Sequence, residues 1–104
     1  RSLSEITGIQ NISTEIPTKY SLVQNYSNPF NPTTVISFQL PAVSNVLIKV
    51  YDIQGSEVQT LVNERLQPGS YEATFDGSAL NSGVYFYKIT AGNYSETKKM
   101  LLIK

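Results

Sequence analysis

The sequence predicts an all-β chain, a β-sandwich of about seven short strands. Three observations carry this. From residue 20 onward apolar and polar residues alternate in short runs, the two-residue period of half-buried strands. Turn signals such as Pro68-Gly69, Asp76-Gly77 and Gly92-Asn93 interrupt those runs at intervals of roughly ten residues. Stretches of helical period with capping residues are missing over 20–104.

Residues 1–19 stand apart. They are rich in Ser, Thr, Asn and Glu, with isolated isoleucines at 6, 9, 12 and 16. That spacing leaves two readings open, a weak amphipathic helix or a linker held by one or two hydrophobic contacts. The lack of strong helix formers favours the linker, with Pro17 near its end. The expected organisation is therefore a linker over 1–19 and one folded domain over 20–104.

Within the domain, "YSLVQ" (20–24) is the first short strand. "NPFNP" (28–32) follows, where two prolines remove backbone donors and push the preceding asparagines toward extended conformations. It reads as a rigid connection in which Phe30 plugs one end of the sandwich. "TTVISFQL" alternates, with Ile36, Phe38 and Leu40 on one face, and Pro41 stops it. "NVLIKVYD" sets Val46, Ile48 and Val50 against Leu47, Lys49 and Tyr51, and "IQGSE" turns where Gly55 can take a positive φ. The segment after Ser56 could make one helical turn, but β-branched Val58, Thr60 and Val62 favour a strand. "GSYEATFDG" places Tyr71, Ala73 and Phe75 on one side, and "VYFYKITA" does the same with Tyr85, Tyr87 and Ile89. The hairpin turn Gly92-Asn93 leads into "YSETKKMLLIK". The expected core contains Ile36, Phe38, Ile48, Val50, Tyr71, Phe75, Tyr85, Tyr87 and Ile89.

Composition narrows the function. Eight basic and eight acidic residues cancel, so the basic excess of a nucleic-acid or anionic-membrane binder is missing. No apolar run approaches the roughly 18 residues of a membrane-spanning helix. The opening "RSLSEITGIQ" lacks the apolar centre of a signal peptide, so any export signal is expected elsewhere or of another kind. With neither cysteine nor histidine, the chain cannot build a thiol nucleophile, a cysteine-histidine zinc site or an imidazole base. The carboxylates are scattered over strand ends and turns without an acid/base pair. Asp52 and Asp76 each precede a turn, where aspartate bonds the backbone two residues on, a reading that outweighs a calcium site. No catalytic residue, cofactor or metal ligand is expected.

The seven tyrosines raise a carbohydrate-binding alternative, because sugar faces stack on aromatic rings. Tyr71, Tyr85 and Tyr87 fall on apolar strand faces and are better read as core, with hydroxyls at its rim. Tyr20, Tyr26 and Tyr94 are the candidate exposed rings. The end of the chain admits two readings of equal weight. It is either the last strand with lysines on its solvent face, or a sheet edge whose lysines deter indiscriminate pairing and whose backbone stays open to one partner.

Four blocks together resemble a known family. "YSLVQNYSNPFNPTTVISFQLP", "VLIKVYDIQGSEVQTLV", "PGSYEATFDGSALNSGVYFYKI" and "KKMLLIK" are similar, in order and spacing, to the type A C-terminal sorting domain of the type IX secretion system (the Por secretion tail family). The resemblance covers 20–104. It departs at Ser27, where the family more often has proline. It implies an immunoglobulin-like sandwich without catalytic activity, attached to an upstream cargo. The partners implied are the outer-membrane type IX machinery and a sortase-like surface peptidase that cuts before Tyr20. The implied route runs from the periplasm to the cell surface or the medium. The recognition elements carried over are Gly83, Val84 and Tyr85, together with Lys98, Lys99, Met100, Leu101, Leu102, Ile103 and Lys104. Two rivals remain, an adhesive or carbohydrate-binding module and a structural spacer.

Overall fold

Every alternating run over 20–104 becomes a strand. The computed structural model describes residues 9–13 and 15–104. Among them the chain forms eight strands and no helix: β1 (Ile9–Ser13), β2 (Ser21–Leu22), β3 (Thr33–Leu40), β4 (Ser44–Tyr51), β5 (Glu57–Leu66), β6 (Gly69–Asp76), β7 (Gly83–Ala91) and β8 (Tyr94–Leu102). They make two four-stranded sheets, ordered β1-β6-β3-β2 and β5-β4-β7-β8. Neighbouring strands are antiparallel throughout. Strands β2 to β8 correspond one for one to the runs read from the sequence, so the all-β sandwich assignment holds.

The core lies between the sheets because the inward half of each alternation is apolar. All nine residues expected there are buried, most of them completely, and they join one cluster drawn from both sheets. Phe38 and Tyr71 sit opposite each other in the β3–β6 register and stack with ring centroids 5.4 Å apart. The turn chemistry also behaves as read. Asp52 Oδ1 accepts from the Gln54 and Ser56 backbone N–H groups at 3.0 and 2.9 Å, while Gly55 takes φ 88°. Asp76 Oδ1 accepts from the Ser78 N–H at 2.9 Å. The segment after Ser56 is strand and not a helical turn. It runs on to Leu66 and slips register twice against β4, which kinks an edge that would otherwise invite pairing.

The correction lies at the N-terminal side. Residues 9–13 form neither helix nor bare linker; they are an edge strand on β6, with Ile9 opposite Ala73 and only 1% exposed. Ile9 is the hydrophobic pin, whereas Ile12 and Ile16 point to solvent. Of the described isoleucines in that near-helical spacing, only Ile9 is buried, so the spacing does not mark one face of a helix. The partner supplying the backbone bonds lies some sixty residues away in sequence. The parts of the helix and linker readings that concern residues 1–8 and 14 fall outside the described residues.

Candidate functional site

The two sequence blocks proposed for recognition are neighbours in space. β7 and β8 pair so that Gly83 faces Leu102, Val84 faces Leu101 and Tyr85 faces Met100. Alternation then divides them. Tyr85, Met100 and Leu102 point into the core and are buried, whereas Val84 and Leu101 lie side by side on the outer face. The Tyr85 hydroxyl donates to the Asn81 carbonyl at 2.7 Å, anchoring the loop before β7. Gly83 adopts φ +155°, which an L side chain rarely takes, although the space around it is open. Glycine is needed there for its backbone.

The three lysines differ in state. Lys98 pairs with Glu96 at 3.2 Å, on the inward register of the sheet edge. Inward-facing charge on an edge strand is a known deterrent to strand addition. A hydrogen bond from the Tyr94 hydroxyl, then Lys98, holds the Glu96 carboxyl below its ordinary range. Burial first, and Glu96 second, pushes Tyr94 up to about 12. Lys104 is tied down, its Nζ donating to the Ser78 and Leu80 carbonyls at 2.6 and 2.7 Å and its backbone N–H to Ser82 Oγ at 2.9 Å. Lys99 is exposed on the outer face and has no ion pair among the described residues.

The end of the tail is not an open edge, contrary to one of the two readings of the sequence. The loop after β2 covers it. Phe30 N donates to the Leu101 carbonyl and Ile103 N donates to the Phe30 carbonyl, both at 2.9 Å. The Leu101 N–H donates to Asn28 Oδ1 at 2.9 Å, and Gln24 Nε2 donates to the Lys99 carbonyl at 2.7 Å. Phe30 thus makes a parallel bridge with Leu102, while its ring meets Phe75 edge-on at 5.9 Å. It plugs the end of the sandwich as the sequence suggested. Gly77 makes room for it: a Cβ there would lie 3.1 Å from Leu102 Cδ2 and 3.4 Å from Phe30 Cε2.

What holds the covering loop was not read from the sequence. Asn25 is buried, and its Nδ2 donates to the Ser27 carbonyl and to Thr34 Oγ1, both at 3.0 Å. Its backbone N–H donates to the Tyr87 hydroxyl at 2.7 Å, which in turn donates to the Val23 carbonyl at 2.9 Å. One core tyrosine therefore ties the loop to the second sheet. The Asn28-Pro29 and Asn31-Pro32 peptides are both cis. The only advance signal was the density of asparagine around two prolines, which does not reveal partners more than sixty residues away.

Outside the tail, Tyr20 and Tyr94 stack on each other at 5.3 Å and 10°, so these two candidate sugar platforms spend a face on one another. Tyr26 stands alone, 82% exposed. Among the described residues no three acidic, cysteine or histidine side chains gather as metal ligands, and no helix is long and apolar enough to cross a membrane. A shallow depression of about 150 Å³ opens beside the tail, lined by Asn28, Val84, Lys99, Met100 and Leu101.

No curated protein matches the chain. A protein family does: residues 24–104 match the secretion system C-terminal sorting domain. That span contains the covering loop, the Gly83–Tyr85 block and the whole tail. The chain belongs to the family of type IX secretion C-terminal sorting domains.

Proposed function

We propose that residues 20–104 route an upstream cargo, joined through residues 1–19, from the periplasm across the outer membrane by the type IX machinery. A sortase-like surface peptidase then cuts before Tyr20, releasing the cargo or passing it to the cell surface. Glu15, Ile16, Thr18 and Lys19 are exposed between β1 and β2, a stretch a protease can enter. The domain acts by being recognised, without chemistry of its own. The observation that carries this reading is the direct pairing of the Gly83–Tyr85 block with the tail, which sets Val84 and Leu101 side by side on the outer face at one end of the sandwich.

The test is a reporter with an N-terminal export signal fused to residues 1–104 and expressed in a bacterium with type IX machinery. The complete fusion is expected at the surface. A fusion lacking residues 98–104 is expected to stay in the periplasm. Because Met100 and Leu102 are core residues, a second variant, Leu101→Ser with Ile103→Ser, changes only tail side chains that are 37% and 48% exposed. If the truncated reporter, soluble and intact, reaches the surface as well as the complete one, the sorting role of the tail is lost.

A further inference from the structure

The net charge of zero conceals a separation of charge between the two faces of the sandwich. On the outer face of the β1-β6-β3-β2 sheet the charged strand residues are Glu72 and Asp76, both acidic. On the outer face of the β5-β4-β7-β8 sheet, Lys49, Arg65, Lys88 and Lys99 stand against the single carboxylate of Glu57. Glu57 is already engaged by Lys49 at 3.0 Å. Lys88 and Lys99 have no ion pair among the described residues. Lys49 and Lys88 are moreover direct cross-strand partners, and like charges so placed destabilise a sheet.

The same face carries an apolar stripe. Tyr51 faces Phe86 across β4 and β7, Phe86 faces Lys99 across β7 and β8, and Val84 faces Leu101 one step further along. These side chains are half-buried or exposed, and the depression lined by Val84, Lys99 and Leu101 opens at the end of the stripe. The edges of this sheet, in contrast, are guarded, by the register slips of β5 and by the loop and the inward Glu96–Lys98 pair on β8. The face is therefore the more accessible surface for a partner.

We propose that the outer face of β4, β7 and β8 is the docking surface for the secretion machinery, and that its occupant is a protein surface bearing carboxylates around an apolar centre. The proposal rests on the sorting reading above and changes where recognition happens, from the edge of the tail to its outward side chains. An acidic partner neutralises Lys88 and Lys99, relieves the Lys49–Lys88 repulsion and covers Phe86 and Leu101. Complementary charge of this kind acts chiefly on the rate of encounter.

The experiment uses the full-chain reporter fusion in three forms. The first is unsubstituted, the second carries Lys88→Gln with Lys99→Gln, and the third carries Gln39→Glu with Gln67→Glu. The last two lower the net charge equally, but the third does so away from the docking face. The lysine variant is expected to slow surface delivery about tenfold, with a thermal midpoint equal to or above that of the unsubstituted chain. The glutamine variant is expected to be delivered normally. Normal delivery of the lysine variant, or equal losses in both variants, overturns the proposal. So does binding of the isolated chain to phosphatidylglycerol vesicles that disappears in the lysine variant, because the surface recognised would then be lipid. Failure of the unsubstituted fusion to reach the surface refutes instead the sorting reading beneath it.

Discussion

Tyr87→Phe removes one oxygen and leaves the ring in the core, so it isolates the tie between the covering loop and the second sheet. The Tyr87 hydroxyl accepts from the Asn25 N–H and donates to the Val23 carbonyl. Asn25 is 3% exposed, and without the hydroxyl its N–H has no water to turn to. An orphaned buried donor costs roughly 1–3 kcal/mol, and the bond to the more accessible Val23 carbonyl adds about 1. The expected loss is about 2–4 kcal/mol, a large share of the roughly 5–15 kcal/mol that holds a small domain together. In a chain of this length that lowers the melting midpoint by on the order of 10–20 °C. The assay is urea or thermal unfolding together with amide hydrogen exchange. Protection is expected to fall first at Asn25, Tyr26 and Leu101, whose N–H groups belong to the loop and to the tail it covers. The effect also has a pH signature. Burial pushes the Tyr87 hydroxyl up from 10.0 to about 12. A group with a raised value contributes stability fully below its unfolded pKa and loses it as pH rises through the folded one. Unsubstituted protein should therefore weaken between pH 10 and about 12, and the Phe variant should weaken less, with Tyr94, Tyr71 and the Glu57-paired Lys49, all raised as well, supplying the remainder. A midpoint unchanged within error, with unchanged exchange at Asn25, would refute the idea that this hydroxyl holds the loop.

Two further outcomes follow from the same end of the sandwich. Phe30→Ala empties a buried ring site against Phe75 and should cost roughly 3–5 kcal/mol in chemical denaturation, with faster exchange at the Leu101 and Ile103 amides; a cost below about 1 kcal/mol would mean the plug is dispensable. The Asp76 carboxyl is held below its ordinary 3.8 by the Ser78 backbone N–H first, with Lys104 a smaller cause. Its contribution is present above that ordinary value and is lost as pH falls through the lower folded one. The difference in melting midpoint between unsubstituted protein and Asp76→Ala should accordingly be constant near neutrality and close as pH drops below 4; a gap that persists in acid would show that Asp76 acts through packing alone.

Seven strands, the core residues and both aspartate turns were legible in the sequence because each depends on information a few residues long. Period-two alternation decides which side chains face inward wherever one face of a strand is buried, and Ile36, Phe38 and Leu40 illustrate it. Asp52 and Asp76 find their donors within the same turn. The resemblance to the sorting-domain family was legible for a similar reason, since its blocks are read in order along the chain. Tertiary structure alone decided whatever needed a partner distant in sequence. Ile9 becomes part of a sheet only because β6 offers an unpaired edge, and nothing in "IQNIS" announces it. The tail's lysines read alike along the chain, yet folding gives each a different fate. Lys98 meets Glu96, Lys104 meets the carbonyls of Ser78 and Leu80, and Lys99 is left facing solvent beside Phe86. The backbone of Leu101, which the sequence left equally as an open edge or as part of the last strand, is bonded by Asn28 and Phe30, some seventy residues earlier. The physical reason is common to all of these. A strand's periodicity determines which way its side chains point, but an edge, an ion pair or a covered backbone exists only once a second segment has been brought beside it.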